Sequence, residues 1–315
     1  MTLAACLPDH LRGAATSITP LAGGLSGAGV YRVETPAGTY VLKLAGDAAP
    51  VAAWRQTLAI QRRAGDAGVA PRVIHADEAR RAVVSELVVN RGLAPRLFNP
   101  QTRDATLRQL GQTIRRVHAL PLPDGAPARD PREVIAALRA QRAGFVIPTF
   151  VGAAIDEVLA ESPPAPARPR VTSHNDLNPS NLAFDGERVL LLDWDAAGPN
   201  DPFYDLAAVA VFLRLDDAAV AALIAAYDDA PPAALPAGFV HARRLVAAVC
   251  ASLFLQLARQ AGHPGGDAPA DAAPTLPDVY GLIGIGALSP GSADGAWAFA
   301  QALVRTITDR AAPAR

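Results

Sequence analysis

The sequence predicts an α+β fold in two lobes: a small antiparallel β lobe with one helix over residues 1–88, and a larger, mainly helical lobe over 89–315. Two observations predict it. From residue 18 to Val89, short apolar runs alternate in the manner of strands and are interrupted by a single stretch of helical spacing. After Asn90 the texture changes to long Ala/Leu/Arg segments of helical period, separated by proline-rich breaks.

The elements follow in order. Residues 18–44 read as strand, glycine turn, strand, turn, strand. VYRVE (30–34) alternates, PAG (36–38) turns the chain, and TYVLKL (39–44) alternates again, which places Lys43 on a strand. Helical spacing from Pro50 to Asp66 stops before AGVAPR, and RVIHAD and RAVVSELVV complete the sheet. In the large lobe, helices are predicted over 102–119, 132–143, 150–161, 204–227, 238–261 and 293–311. The breaks are PLPDGAPARDP, ESPPAPARPR and DDAPPAALP, and the stretch 262–277 reads as a mobile loop. One short strand pair, 182–185 with 189–194, sits among the helices, and no internal repeat is found.

Composition narrows the classes of function. Half the residues are apolar, 19% are charged and the formal net charge is −1, which fits a globular chain and argues against disorder. No Lys/Arg cluster or basic stripe is present, so nucleic acid and anionic membrane are not expected as partners. Cys6 and Cys250 form neither a disulfide framework nor a CxxC clip. The first residues lack the pattern of a signal peptide, and no apolar run reaches bilayer length, so a cytoplasmic location is expected. A monomer or homodimer is expected.

One lysine, Lys43, stands among 29 Lys plus Arg. An ammonium is a compact point charge and a guanidinium a wide planar fork, so a tight site distinguishes them. The densest signal, however, is SHNDLNPSNLAFDGERVLLLDWD, residues 173–195; four of the six asparagines of the chain lie between 175 and 200. Phosphoryl transfer needs a carboxylate to orient a nucleophilic hydroxyl, and oxygen ligands for Mg²⁺ on the phosphates. His174, Asp176, Leu177 and Asn181 match the kinase pattern H-x-D-L-x-x-x-N, and the strand pair then delivers Asp193.

This segment resembles the catalytic loop of the aminoglycoside phosphotransferase and choline kinase superfamily. The HND opening, the DWD and NDPFYDLA (200–207) are most similar to its bacterial choline, ethanolamine and thiamine kinase-like branch. The resemblance covers nearly the whole chain and implies a protein-kinase-like two-lobe fold, a nucleotide lobe over 1–88 and an acceptor lobe over 89–315. It implies Asp176 as base, Asn181 and Asp193 as Mg²⁺ ligands, and ATP as donor. Asp205 would be a buried anchor and His174 a loop-fixing residue. In the small lobe, GGLSGAGVYRV (23–33) would cover the phosphates, with Ser26 and Gly27 at its tip. Lys43 would neutralise the α- and β-phosphates, and backbone groups from Glu86 to Val88 would hold adenine.

The family's glutamate on the following helix is missing. Residues 50–68 contain none, and Gln56, Thr57 or Gln61 would stand in, with Glu86 as an alternative although it is expected in the hinge strand. Asp193 and Asp205 lie twelve residues apart with no A-P-E after them, which leaves no room for a peptide platform and points to a small-molecule alcohol. An amino alcohol such as choline, ethanolamine or thiamine is the expected acceptor, with Asp195 as counter-charge and Trp194 and Tyr204 as ring faces. Phe203, Phe254, Tyr280 and Trp297 are further aromatic candidates, with helix packing as the plain reading of Phe254 and Trp297. An aminoglycoside acceptor, or a nucleotide-binding pseudokinase without transfer activity, are the alternative readings.

Overall fold

The computed structural model describes residues 2–21, 29–46, 50–122, 125, 130–166 and 168–308. The chain forms two compact units: one of 1–127, 170–199 and 222–232, the other of 128–169, 200–221 and 233–315. The segment bearing the Asp176 motif groups with the β sheet in the first unit.

In the first unit, β1 (Ser17–Pro20), β2 (Gly29–Thr35), β3 (Gly38–Leu44), β4 (Val73–Asp77) and β5 (Ala82–Glu86) form one antiparallel sheet in the order β1-β2-β3-β5-β4. The helix α1 (Val51–Asp66) is inserted between β3 and β4. Two-residue alternation sorts the side chains between the faces. Val33, Leu42, Ala82 and Val84 pack on Cys6, Leu7 and Leu11, while Val83 packs on the other face against Trp54 and Leu58 of α1. Lys43 follows Leu42 and pairs with Val83, so it points to the α1 face. The β2–β3 turn is closed by Thr35, whose Oγ1 accepts the Ala37 amide (3.1 Å) and donates to the Gly38 carbonyl (3.1 Å).

Beyond the sheet come α2 (Ala94–Phe98) and α3 (Pro100–His118). Asn99 caps α3 by accepting from the Gln101 amide, and Pro100 occupies a position where no amide is needed. Leu107, Leu110, Ile114 and Val117 are buried at helical spacing along α3. The helices α4 (Pro131–Gln141) and α5 (Thr149–Ala160) belong to the second unit, after which β6 (Val171–Ser173), β7 (Leu182–Phe184), β8 (Val189–Leu191) and β9 (Gly198–Asn200) follow. The β7–β8 hairpin is tied to the rest of the first unit: the Leu191 amide donates to Val69 O (2.8 Å), the Arg91 amide to Phe184 O (2.8 Å), and the Phe184 amide to Asn90 Oδ1 (3.0 Å).

The chain continues with α6 (Pro202–Phe212), α7 (Asp217–Asp228), α8 (Ala237–Gln260), α9 (Leu276–Gly284) and α10 (Ala293–Thr308). In the second unit α8 is central and packs against α4, α5, α6 and α10. It is 24 residues long with a window of mean hydropathy 1.4, so its length and composition would allow a membrane span, contrary to the reading that no run is long enough. Its apolar side chains are instead matched by the surrounding helices, and 56% of that window is buried.

Two further expectations change. The single helix predicted over 204–227 is two helices. Arg214 takes a left-handed conformation (φ 53°), the Leu215 amide turns back to Ala210 O (3.0 Å), and Asp216 caps α7 by accepting from the Ala219 amide (2.7 Å). The stretch 262–277 is held rather than loose: Thr149 donates its amide to Asp267 (2.8 Å), the Gly266 amide donates to Val146 O (3.0 Å), and His263 stacks on Trp297 at 4.2 Å. The helix predicted to 311 is described as far as Thr308.

Gly111 of α3 lies where a Cβ would stand 2.7 Å from Leu223 O and 3.0 Å from the Tyr227 amide nitrogen. Gly111→Ala should therefore destabilise the chain by about 1–3 kcal/mol through overpacking, although alanine is the better helix former. Urea unfolding checks this; an unchanged or raised midpoint would show that the α3 contact is looser than described.

Candidate active site

The loop from β6 to β7 is built by its own polar side chains. His174, fully buried, donates from Nε2 to Leu192 O (2.9 Å), which leaves Nδ1 to accept the Asp176 amide (3.3 Å). These two bonds define a neutral ring with its proton on Nε2. Asn175 adopts a left-handed conformation (φ 66°), and its Nδ2 donates to Ala196 O (3.0 Å) and Gly198 O (3.3 Å). Asn178 caps the short turn Pro179–Asn181 by accepting the Ser180 amide (2.9 Å).

Asp176 is exposed, and two amides fix its carboxylate: Asn178 Nδ2 donates to Oδ1 (3.1 Å) and Asn181 Nδ2 to Oδ2 (2.8 Å). The same Asn181 nitrogen also reaches Asp176 O (2.8 Å), so the amide orientation is fixed with its nitrogen toward Asp176. The Leu192 amide donates to Asn181 O (2.9 Å), which ties the loop to the strand that leads to Asp193.

Asp193 is left-handed (φ 61°, ψ 78°), a conformation that a non-glycine residue adopts at a cost of order 1–3 kcal/mol. It turns the chain from β8 into the short turn Trp194–Ala196. Lys43 Nζ lies 2.5 Å from Asp193 Oδ1 and 2.8 Å from Asp195 Oδ2. Burial alone would push the Lys43 ammonium down, but Asp193 and then Asp195 outweigh it and hold its pKa above the ordinary lysine value. The ammonium therefore stays charged through the neutral range. Trp54, Thr57, Leu58 and Gln61 of α1 line the cavity beside it, together with Val83 and Trp194.

The structure brings together Lys43, Asp193 and Asp195, and separately Asp176 with Asn181. Ser26 and Gly27 lie outside the described residues. Glu86 ends β5; its amide donates to Arg72 O (3.0 Å) and its carboxylate accepts the Arg72 amide (3.2 Å), with Val88 half-buried beyond it. Trp194 is 2% exposed, donates its indole N–H to Leu191 O (3.0 Å) and meets His174 edge-on, so it supports the loop and offers no open face. Asp195 faces Lys43, whereas it was expected to await an acceptor cation.

In the second unit, Tyr204 and Asp205 are buried in α6 and Phe203 packs edge-on against Phe239. Phe254 stacks on Phe299 at 4.7 Å, and Tyr280 donates its hydroxyl to Phe212 O (3.1 Å). Burial pushes the Tyr280 hydroxyl up to about 12. Asn175 and Asn178 were not assigned roles from the sequence; the crowding of asparagines into 175–200 was the signal that marked them.

The described residues thus offer a fixed carboxylate, an adjacent amide and a lysine paired with a second carboxylate. The profile of the phosphotransferase enzyme family matches residues 17–241, well over half of the chain, and the chain belongs to that family. Among curated relatives, LicA of Haemophilus influenzae is 42% identical over 36 residues, which span 11% of this chain and 14% of that protein. Among solved structures, a choline/ethanolamine kinase family protein from Mesorhizobium loti is 21% identical with a TM-score of 0.61, over 94% of this chain and 90% of that one. A structure of LicA in complex with AMP is 17% identical (TM-score 0.58; 80% and 88%). An aminoglycoside-3′-phosphotransferase of type VIII is 21% identical (TM-score 0.56; 76% and 96%). The fold is thus kinase-like, with a five-stranded antiparallel sheet and a larger helical part.

His174→Leu removes the donor to Leu192 O and the acceptor for the Asp176 amide, both part-buried groups. It should destabilise the chain by about 1–2 kcal/mol, the lower part of the range for orphaned polar groups. A urea midpoint equal to that of the parent chain would contradict this role for His174.

Proposed function

We propose that the chain transfers the γ-phosphoryl group of ATP to the hydroxyl of a small molecule, most simply an amino alcohol such as choline, ethanolamine or thiamine. The observation that carries this reading is the fixed Asp176 carboxylate, exposed at the surface and oriented by Asn178 and Asn181. In that role Asp176 accepts the proton of the acceptor hydroxyl as its oxygen meets the phosphorus. Residues 1–88 would serve as the nucleotide lobe and 89–315 as the acceptor lobe, with Lys43 on the phosphates and Glu86 to Val88 beside adenine. Its structural likenesses include both a choline/ethanolamine kinase family protein and an aminoglycoside-3′-phosphotransferase, so both acceptor classes enter the test below.

Magnesium fits the donor set. With its nitrogen committed to Asp176, the Asn181 carbonyl oxygen takes only a long contact from Ser180 Oγ (3.5 Å) and keeps a lone pair for a cation, and Asp193 already faces one in Lys43. Both are hard oxygen donors, and Mg²⁺ on phosphates commonly takes one or two carboxylates with water and phosphate completing its shell. When bound, the ion neutralises charge on the phosphate oxygens; the orientation of the acceptor hydroxyl is the work of Asp176.

A second reading, nucleotide binding without transfer, is favoured by the absence of glutamate from α1. The two are separated by Mg²⁺-dependent ADP release measured with choline, ethanolamine, thiamine, homoserine and kanamycin. The transfer reading expects an acceptor-stimulated rate that Asp176→Asn lowers on the order of a thousandfold, the scale of a lost general base, with MgATP affinity retained. Retention of most of the activity in that variant would refute the role of Asp176; ATP binding with no stimulation by any alcohol would favour the second reading.

A further inference from the structure

We propose that Asp195 is the positioning residue for Lys43, and that it does from the turn after β8 what no acid on α1 does. The inference rests on the ATP-site reading above and deepens it. Lys43 is the single lysine of the chain, and its ammonium sits between two carboxylates, at 2.5 Å from Asp193 and 2.8 Å from Asp195. Among the described residues these are the acids within ion-pair distance of it.

The α1 side chains that line the same cavity, Trp54, Thr57 and Gln61, are neutral, and the Thr57 hydroxyl already donates to Trp54 O (3.0 Å). The one acid of α1, Asp66, is its last residue. If Asp193 turns its charge to a metal ion, its hold on the ammonium weakens, because one carboxylate cannot neutralise both cations fully. Asp195 is then the carboxylate left to keep Lys43 in place.

The backbone is built for that task. Asp195 stands in a short turn that packs against α1, and it is fixed on both sides. Trp194 before it is buried and bonded to Leu191 O, and Ala196 after it accepts from Asn175 (3.0 Å). The Asp195 side chain is half exposed, so the pair is screened and its effect is moderate.

The test is MgATP titration calorimetry on the full chain, with three proteins: the parent, Asp195→Asn, and Asp195→Asn combined with Gln61→Glu. Asp195→Asn is expected to weaken MgATP binding about fivefold, in line with a partly exposed ion pair, with the melting temperature unchanged. Gln61→Glu places a carboxylate on the α1 face of the cavity and is expected to restore most of the loss. Unchanged affinity in Asp195→Asn overturns the inference, as does a loss that Gln61→Glu leaves in place. An increase in acceptor KM alone, measured by ADP release with choline, would likewise overturn it and assign Asp195 to the acceptor. Failure of the parent chain to bind MgATP would instead remove the ATP reading, and the inference with it.

Discussion

The ion pair between Lys43 and Asp193 joins positions 150 residues apart, and the arrangement of the first unit serves to make it possible. A lysine pointing into a cavity bounded by Trp54, Val83 and Trp194 loses much of its hydration. A nearby carboxylate must compensate, and the geometry has to be close because the attraction falls with distance and with the polarity of the surroundings. Three features meet that demand. The register of β3 on β5 sends Lys43 to the α1 face. The β7–β8 hairpin is bonded to Val69, Asn90 and Arg91, so its end is fixed. Asp193 accepts a left-handed backbone that aims its carboxylate back at the sheet.

The loop before the hairpin follows the same logic with hydrogen bonds. A loop that bears an exposed carboxylate cannot be held by apolar burial at that residue, so its order comes from neighbours. His174 joins the Asp176 amide to Leu192 O, and Asn181 joins the Asp176 side chain to its own backbone. Each asparagine supplies both a donor and an acceptor from one short planar group, which explains why this residue type, rare elsewhere in the chain, collects here. The result is a carboxylate at Asp176 whose orientation the loop itself sets.

Much of this was legible in the sequence, for physical reasons. Strand alternation around Leu42 and Val33 revealed the sheet, and helical spacing through Leu107, Leu110 and Ile114 revealed α3, because burial imposes those periods. Asp176, Asn181 and Asp193 stood out because the kinase-type pattern fixes their spacing, and the structure joins Asp176 to Asn181 and Asp193 to Lys43. The break at Arg214 was not, since the left-handed turn there uses no glycine and the apolar period runs on through it. Trp194 read as a free ring because sequence shows aromatic character and not exposure. The partner of Lys43 was sought on α1, the element next in sequence; Asp195 reaches it through the fold alone.

The most direct test of the account uses the fact that Lys43 is the only lysine. Selective ¹³C,¹⁵N-lysine labelling gives one side-chain signal in the full-length chain, which can be followed by NMR as pH rises. The account predicts a titration midpoint above the ordinary lysine value in the unliganded protein, because Asp193 and Asp195 favour the charged form, and a lower midpoint in Asp193→Asn. A midpoint at or below the ordinary value, unmoved by Asp193→Asn, would mean that burial governs Lys43 and that the ion pair does not organise the site.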